Sequence, residues 1–105
     1  MAKIKYHFPA TIFVTKTKLK FQADHVFSEV IEATHAHDSG DHAHAVEELW
    51  DLIHSAETML RMYQAAGHDV WAAKTSVEVK NRKRGYYGGE VVDEASVSAS
   101  APKTI

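Results

Sequence analysis

Two pairs of acidic residues have the spacing of a metal-ligating set: Glu29 and Glu32 in "EVIE", and Glu48 and Asp51 in "ELWD". Residues three apart on a helix are neighbours, with Cβ atoms ~5–6 Å apart. At ~100° per residue, Glu48 and Asp51 lie side by side on the flank of an apolar stripe. Glu29 lies on the equivalent flank of its own helix, with Glu32 further round. Helices packed ~8–10 Å apart bring such carboxylates over one seam. Four ionised acids meeting there repel and push one another toward protonation. A divalent cation reverses that balance, and carboxylate oxygen is what Mg²⁺ and Mn²⁺ prefer. The competing reading is a solvated surface, because a like-charged pair one turn apart costs only ~0.2–0.5 kcal/mol. Glu90 and Asp93 repeat the spacing in a Gly- and Ser-rich context, where it carries no meaning. Placement favours the metal for the other two pairs: each sits on a strongly amphipathic segment, and one turn separates them.

Those acids must be positioned by helices. From about Thr15 to Ala36 the apolar period is helical, and Leu19, Ala23, Val26, Phe27, Val30 and Ile31 fall on one stripe. "HDSGDHAH" breaks the period with a turn. Asp41 is a good N-cap for a second helix, whose stripe runs from Ala45 to Tyr63 and ends near Gly67. Asp69 caps a third helix, "VWAAKTSVEVKNRKR", with basic residues in its last turn as the helix dipole prefers and Gly85 to close it. The N-terminal "KIKYHFPATIFV" is β-branched, aromatic and broken by Pro9, which reads as an extended arm or an edge strand. The predicted fold class is all-α: an antiparallel helical hairpin plus a third helix, with a short extended arm, oligomerising into a helical bundle. The expected boundaries are 1–14 for the arm, 15–89 for the helical domain and 90–105 for a mobile tail.

Composition narrows the chemistry. The chain has 105 residues, enough for one domain with a modest core, so association with a copy of itself as a homodimer or homotetramer is expected. It has no cysteine, which removes disulfides, thiolate metal sites and cysteine nucleophiles. The formal net charge is −2, so neither nucleic acid nor an anionic membrane is an expected partner. No apolar run approaches ~18 residues, and the first residues show no signal-peptide cleavage pattern; the expected location is cytoplasmic.

At this point the residues resemble a family. "EVIE", fifteen residues, then "ELWD" is similar to the E-x-x-E…E-x-x-D signature of the all-α nucleoside triphosphate pyrophosphohydrolases, the MazG-like proteins and their relatives. "HAVEELWDLIHSAETML" resembles their second motif helix. "VEVKNRKRGYYGG" resembles the end of the following helix in small MazG-like proteins often found in phages, and "FPATI" with its lysine-rich continuation resembles their arm. The likeness spans roughly residues 5 to 89. Ser28 stands where the family often has a second acid, and the histidine-rich turn is not a family feature. The resemblance implies Mg²⁺-dependent hydrolysis of a nucleoside triphosphate to the monophosphate and pyrophosphate. Glu29, Glu32, Glu48 and Asp51 would hold Mg²⁺, with Mn²⁺ as a substitute, and Glu32 or Glu48 would take the proton of the attacking water.

Lys80 and Arg84 share a helix face, with Asn81 beside it. They read either as a grip on the triphosphate or as a solvated helix end that complements the dipole. Tyr87 or Tyr86 reads as a stacking partner for a base, or as a loop packed on the core. Trp50 and Trp71 are expected in the core or an interface.

Eight histidines are the unusual count, and six of them (His25, His35, His37, His42, His44, His54) lie within or between the acidic segments. His44, one turn before Glu48, is placed to orient that carboxylate. Glu32-x-x-His35 and Asp51-x-x-His54 resemble the pairs of di-iron helical bundles, but the helical angle predicts that His54 points to solvent and the turn leaves His35 at the edge of its helix. His37, His42 and His44 read as loop and first-turn residues. A third class, a non-catalytic nucleotide- or protein-binding helical module, stays open; four converging acids are its poorest fit.

Overall fold

The computed structural model describes residues 5–89. The expected tail at 90–105 and the Glu90–Asp93 pair lie outside the described residues. The described chain is all-α, with four helices: α1 (Phe13–Lys16), α2 (Leu19–Asp38), α3 (His42–Ala65) and α4 (Val70–Lys83). It divides between His68 and Asp69 into two compact units. Among the described residues no helix is long and apolar enough to cross a membrane.

In the first unit, α2 and α3 pack against each other as an antiparallel hairpin. Its turn is chemically specified. Gly40 takes φ 84°, a left-handed conformation open to a residue without Cβ. That bend lets Gly40 N–H donate to the His37 carbonyl and Asp41 N–H to the Ala36 carbonyl, satisfying the last carbonyls of α2. Asp41 then caps α3, its Oδ1 accepting from His44 N–H at 3.1 Å. Two helix ends are closed within three residues, and the register follows: Gln22 Nε2 donates to the Ser55 carbonyl at 3.0 Å across the seam.

That seam is not the expected one. Its buried residues on α2 are Gln22, Glu29, Ala33 and Ala36, and on α3 they include Ala45, Glu48, Ser55, Thr58 and Met62. Alanines allow close approach, and polar groups fill the space between them. Of the predicted α2 stripe, Leu19, Ala23 and Val26 are half-buried, whereas Phe27, Val30 and Ile31 are exposed. The large apolar side chains that mark the period of α2 therefore lie largely outside the contact of the two helices. α2 also begins at Leu19 rather than near Thr15, because α1 stops after four residues and Thr17 is extended at φ −128°, ψ 146°, a conformation that suits a β-branched side chain.

The arm forms no strand among residues 5–12. It is tied to α3 by the buried Glu57. Glu57 Oε2 accepts from His7 N–H at 2.9 Å and lies 2.7 Å from His7 Nδ1, while Oε1 accepts from Phe8 N–H at 3.0 Å. Arg61 Nη2 donates to the Phe8 carbonyl at 2.8 Å and its guanidinium covers the Tyr6 ring at 4.0 Å; Tyr6 Oη donates to Gln64 Oε1 at 2.8 Å. Phe8 stacks on His54 at 4.3 Å, and Trp50 receives the edges of His7 and Phe8. The arm therefore lies along one stripe of α3: Trp50, His54, Glu57, Arg61, Gln64. Burial works against the Glu57 anion, but the backbone and side-chain hydrogen bonds from His7, with that from Phe8, outweigh it and hold the carboxyl below its ordinary range.

The second unit is built on α4. Asp69 caps it as expected, accepting from Ala72 N–H at 2.9 Å. Gly85, at φ 86°, ends it, with Gly85 N–H on the Arg82 carbonyl and Tyr86 N–H on the Asn81 carbonyl. Trp71 is half-buried, while Trp50 on α3 is about half exposed under the arm.

Candidate metal centre

Glu29 on α2 and Glu48 and Asp51 on α3 converge. One carboxylate oxygen from each lies within 4.8 Å of the other two. Glu29 and Glu48 are buried and Asp51 is exposed. The hairpin register produces this meeting: the Gly40 turn fixes which residues of α2 and α3 stand opposite, and the alanines let the backbones close enough for the side chains to touch. Glu32, the fourth expected ligand, is not in the group. It is exposed and lines a neighbouring cleft instead.

The electrostatics are those of a site short of positive charge. Two unit charges 4–5 Å apart repel by about 3–4 kcal/mol at an effective dielectric of ~20, well above the few tenths of an exposed helical pair. Burial pushes the Glu29 carboxyl above its ordinary range, helped by the charges of Glu32, Asp51 and Glu48 and opposed by His25. Each buried glutamate has a histidine one turn before it. His25 Nε2 lies 3.3 Å from Glu29 Oε2, and His44 Nε2 lies 3.4 Å from Glu48 Oε1. Glu48 Oε2 remains buried with no hydrogen-bond partner among the described residues. A buried carboxylate oxygen without a hydrogen bond could serve as a ligand for a cation.

Clefts open on either side of the group. One, of about 490 Å³, is lined by Glu32, His35, Asp41, His44 and Glu48, among others. The other, of about 160 Å³, is lined by His25, Glu29, Asp51, His54 and Thr58, with Thr11 from the arm segment; the Thr11 and Thr58 hydroxyls lie 3.3 Å apart at its wall.

Two histidines depart from expectation. His54 does not point to solvent: it is half-buried, stacked by Phe8, lines the smaller cleft, and its Nε2 is buried without a hydrogen-bond partner among the described residues. The helical angle was sound, but the arm covers that side of α3. His35 is helical, because α2 continues to Asp38. His37 and His42 face each other across the turn, ring centroids 5.8 Å apart. The His25–Glu29 contact was missed, although H-x-x-x-E recurs in both helices and was available as a signal.

The expected substrate-binding residues belong to the second unit. Lys80 is exposed, its carbonyl accepting from Arg84 N–H; the Asn81 carbonyl accepts from Tyr86 N–H. Arg84 Nη1 donates to Tyr86 Oη at 3.3 Å, and the Arg82 guanidinium sits 5.6 Å from the Tyr87 ring centroid.

Comparison with family models, with curated proteins and with solved structures returns no match for this chain.

Proposed function

We propose that the protein hydrolyses a nucleoside triphosphate between its α and β phosphates, using Mg²⁺ held by Glu29, Glu48 and Asp51. The observation that carries the metal half of this reading is the convergence of those three carboxylates, with Glu48 Oε2 buried and without a hydrogen-bond partner among the described residues. The reaction half rests on the resemblance of "EVIE…ELWD" and "VEVKNRKRGYYGG" to the MazG-like pyrophosphohydrolases.

When bound, Mg²⁺ neutralises phosphate oxygens and lowers the pKa of a coordinated water. The chain's own residues do the rest. His25 and His44 hold Glu29 and Glu48 in place. Glu48 Oε2 would be taken up by the ion, so the proton of the attacking water goes to Glu32, which stands outside the three ligands at the rim of the cleft that Glu48 also lines. The water oxygen bonds to the α phosphorus, the bond to the bridging oxygen breaks, and pyrophosphate departs with that oxygen. The products are a nucleoside monophosphate and pyrophosphate.

Incubation with each NTP and dNTP in the presence of Mg²⁺, followed by separation of products, tests the reading. Monophosphate plus pyrophosphate, lost in Glu48→Gln, is expected. Diphosphate plus phosphate, or no turnover of any triphosphate, contradicts it.

One observation favours a second reading. His54, its Nε2 buried without a hydrogen-bond partner among the described residues, lines the same cleft as Glu29 and Asp51, and its imidazole is a donor suited to iron. A di-iron bundle would give an oxo-bridged absorption band on aerobic Fe²⁺ loading, removed by His54→Ala.

A further inference from the structure

Histidines 35, 37, 42 and 44 flank the turn between α2 and α3, and the carboxylate group uses only His44, which lies against Glu48. Residues two apart on a helix point about 200° from each other. His35 and His37 therefore leave opposite sides of α2, and His42 and His44 leave opposite sides of α3. The turn sorts them into two pairs. His35 and His44 line the larger cleft. His37, in the last turn of α2, meets His42, the first residue of α3: their ring centroids are 5.8 Å apart and their planes 24° from parallel. Among the described residues neither of these two rings is in a hydrogen bond or an ion pair, so their nitrogens are uncommitted.

That separation is one a shared metal ion can bridge. An imidazole bound to Zn²⁺ through a nitrogen at about 2.0–2.1 Å has its ring centre about 3.2 Å from the ion. Two such rings on one ion stand about 5.2 Å apart at the tetrahedral angle and about 6.4 Å apart when opposed. The observed 5.8 Å falls between these limits. The near-parallel planes do not oppose it, because coordination leaves the twist about each metal–nitrogen bond open. The backbone joining the two residues is already fixed. Gly40 N–H donates to the His37 carbonyl, Asp41 N–H to the Ala36 carbonyl and His42 N–H to the Gly40 carbonyl, while Ser39 Oγ donates to the Ala36 carbonyl at 2.9 Å. Binding an ion would order two side chains rather than a loop, which keeps its entropic cost small.

We propose that His37 and His42 form a Zn²⁺ site, with water in the remaining positions. Neutral imidazole suits zinc, whereas Mg²⁺ and Mn²⁺ go to carboxylate oxygen. The site is therefore chemically distinct from the group of Glu29, Glu48 and Asp51, shares no residue with it, and stands whether or not those acids hold an ion. Zinc at this position ties the end of α2 to the start of α3 across the turn that sets the hairpin register.

The test uses the full chain, free of any affinity tag and stripped of metal, with Zn²⁺ alone as the probe. Because Zn²⁺ can also enter the carboxylate group, calorimetric titration is run on the double variant Glu48→Gln/Asp51→Ala beside the unmodified chain. The double variant is expected to keep one saturable Zn²⁺ per chain. Adding His37→Ala or His42→Ala to it is expected to remove that ion, and adding His68→Ala is expected to leave it in place. Long-range proton–nitrogen spectra of the imidazoles read the same site without any substitution: Zn²⁺ is expected to move the His37 and His42 nitrogen signals together in the unmodified chain. Zinc retained by the double variant after loss of either histidine overturns the proposal. So does an excess of Zn²⁺ that leaves either ring of the unmodified chain unmoved.

Discussion

His44 Nε2 lies 3.4 Å from Glu48 Oε1, one turn further along α3, and the other oxygen of Glu48 is buried with no hydrogen-bond partner among the described residues. The histidine lies against one oxygen of the carboxylate, and the residue belongs to the group of acids formed with Glu29 and Asp51. The same relationship recurs on α2, with His25 3.3 Å from Glu29.

Both histidines should therefore tune a bound cation without touching it. Partners that orient ligating carboxylates typically change metal affinity 10–100-fold. His44→Ala is expected to weaken Mn²⁺ binding by about 10-fold, read by electron paramagnetic resonance of free Mn²⁺, with the helical signal unchanged. Equal affinity in the variant would remove the orienting role.

Without metal, the acids should oppose folding. The Glu29 carboxyl titrates above its ordinary value of 4.5 in the folded chain, so its ionisation destabilises that state. The apo protein should gain stability from this group as pH falls from neutral through the folded pKa, with no further gain below 4.5. Glu29→Gln should raise the neutral-pH apo melting temperature by a few degrees, since 1 kcal/mol is worth roughly 4–8 °C in a domain this size. Saturating Mg²⁺ should stabilise the unmodified protein at neutral pH, and acid should abolish that gain. Melting curves at pH 4.5, 6 and 7.5, with and without Mg²⁺, read all three effects.

The arm depends on one carboxylate. Glu57 receives two backbone N–H groups and His7 Nδ1, and hydrogen bonds to a charged group are worth about 1.5–3 kcal/mol. Glu57→Ala is expected to lower unfolding free energy by about 2–3 kcal/mol in urea and to expose the Tyr6–His7 bond to chymotrypsin. The Glu57 carboxyl is held below 4.5 in the folded state, so its contribution is fully present above that pH and is lost as pH falls through the lowered value. Unchanged arm proteolysis in the variant would contradict the clamp.

The turn depends on Gly40. Among the described residues a side chain there meets no neighbouring atom within 4 Å, so the penalty of Gly40→Ala is conformational. At φ 84° it is about 1–2 kcal/mol, visible as a lower thermal midpoint. Because the turn sets the register of Glu29 against Glu48, metal affinity should fall with it.

The parts of this fold legible in the sequence are those carried by local chemistry. Asp41 and Asp69 cap where caps were expected, and Gly67 and Gly85 follow the ends of α3 and α4. The meeting of Glu29, Glu48 and Asp51 followed from helical spacing and a short turn. The buried face did not follow, because hydrophobic period marks the largest apolar side chains, and here those form the exposed stripe while alanine, glutamine and serine form the seam. Glu32 stands outside the group, exposed on α2 at the cleft that Glu48 also lines; residue spacing alone placed both pairs alike and did not separate it from Glu29. The arm's grip on Glu57 left no periodic signal, since it joins residues fifty apart.

Whether the three carboxylates share a cation is decided by titrating the metal-free protein with Mn²⁺ at pH 7.5, alongside Asp51→Ala and Glu48→Gln. The expected result is saturable binding at a fixed stoichiometry in the unmodified protein and its loss in both variants, each still helical. Absence of saturable binding, or binding that survives both substitutions, would contradict a shared ion at Glu29, Glu48 and Asp51.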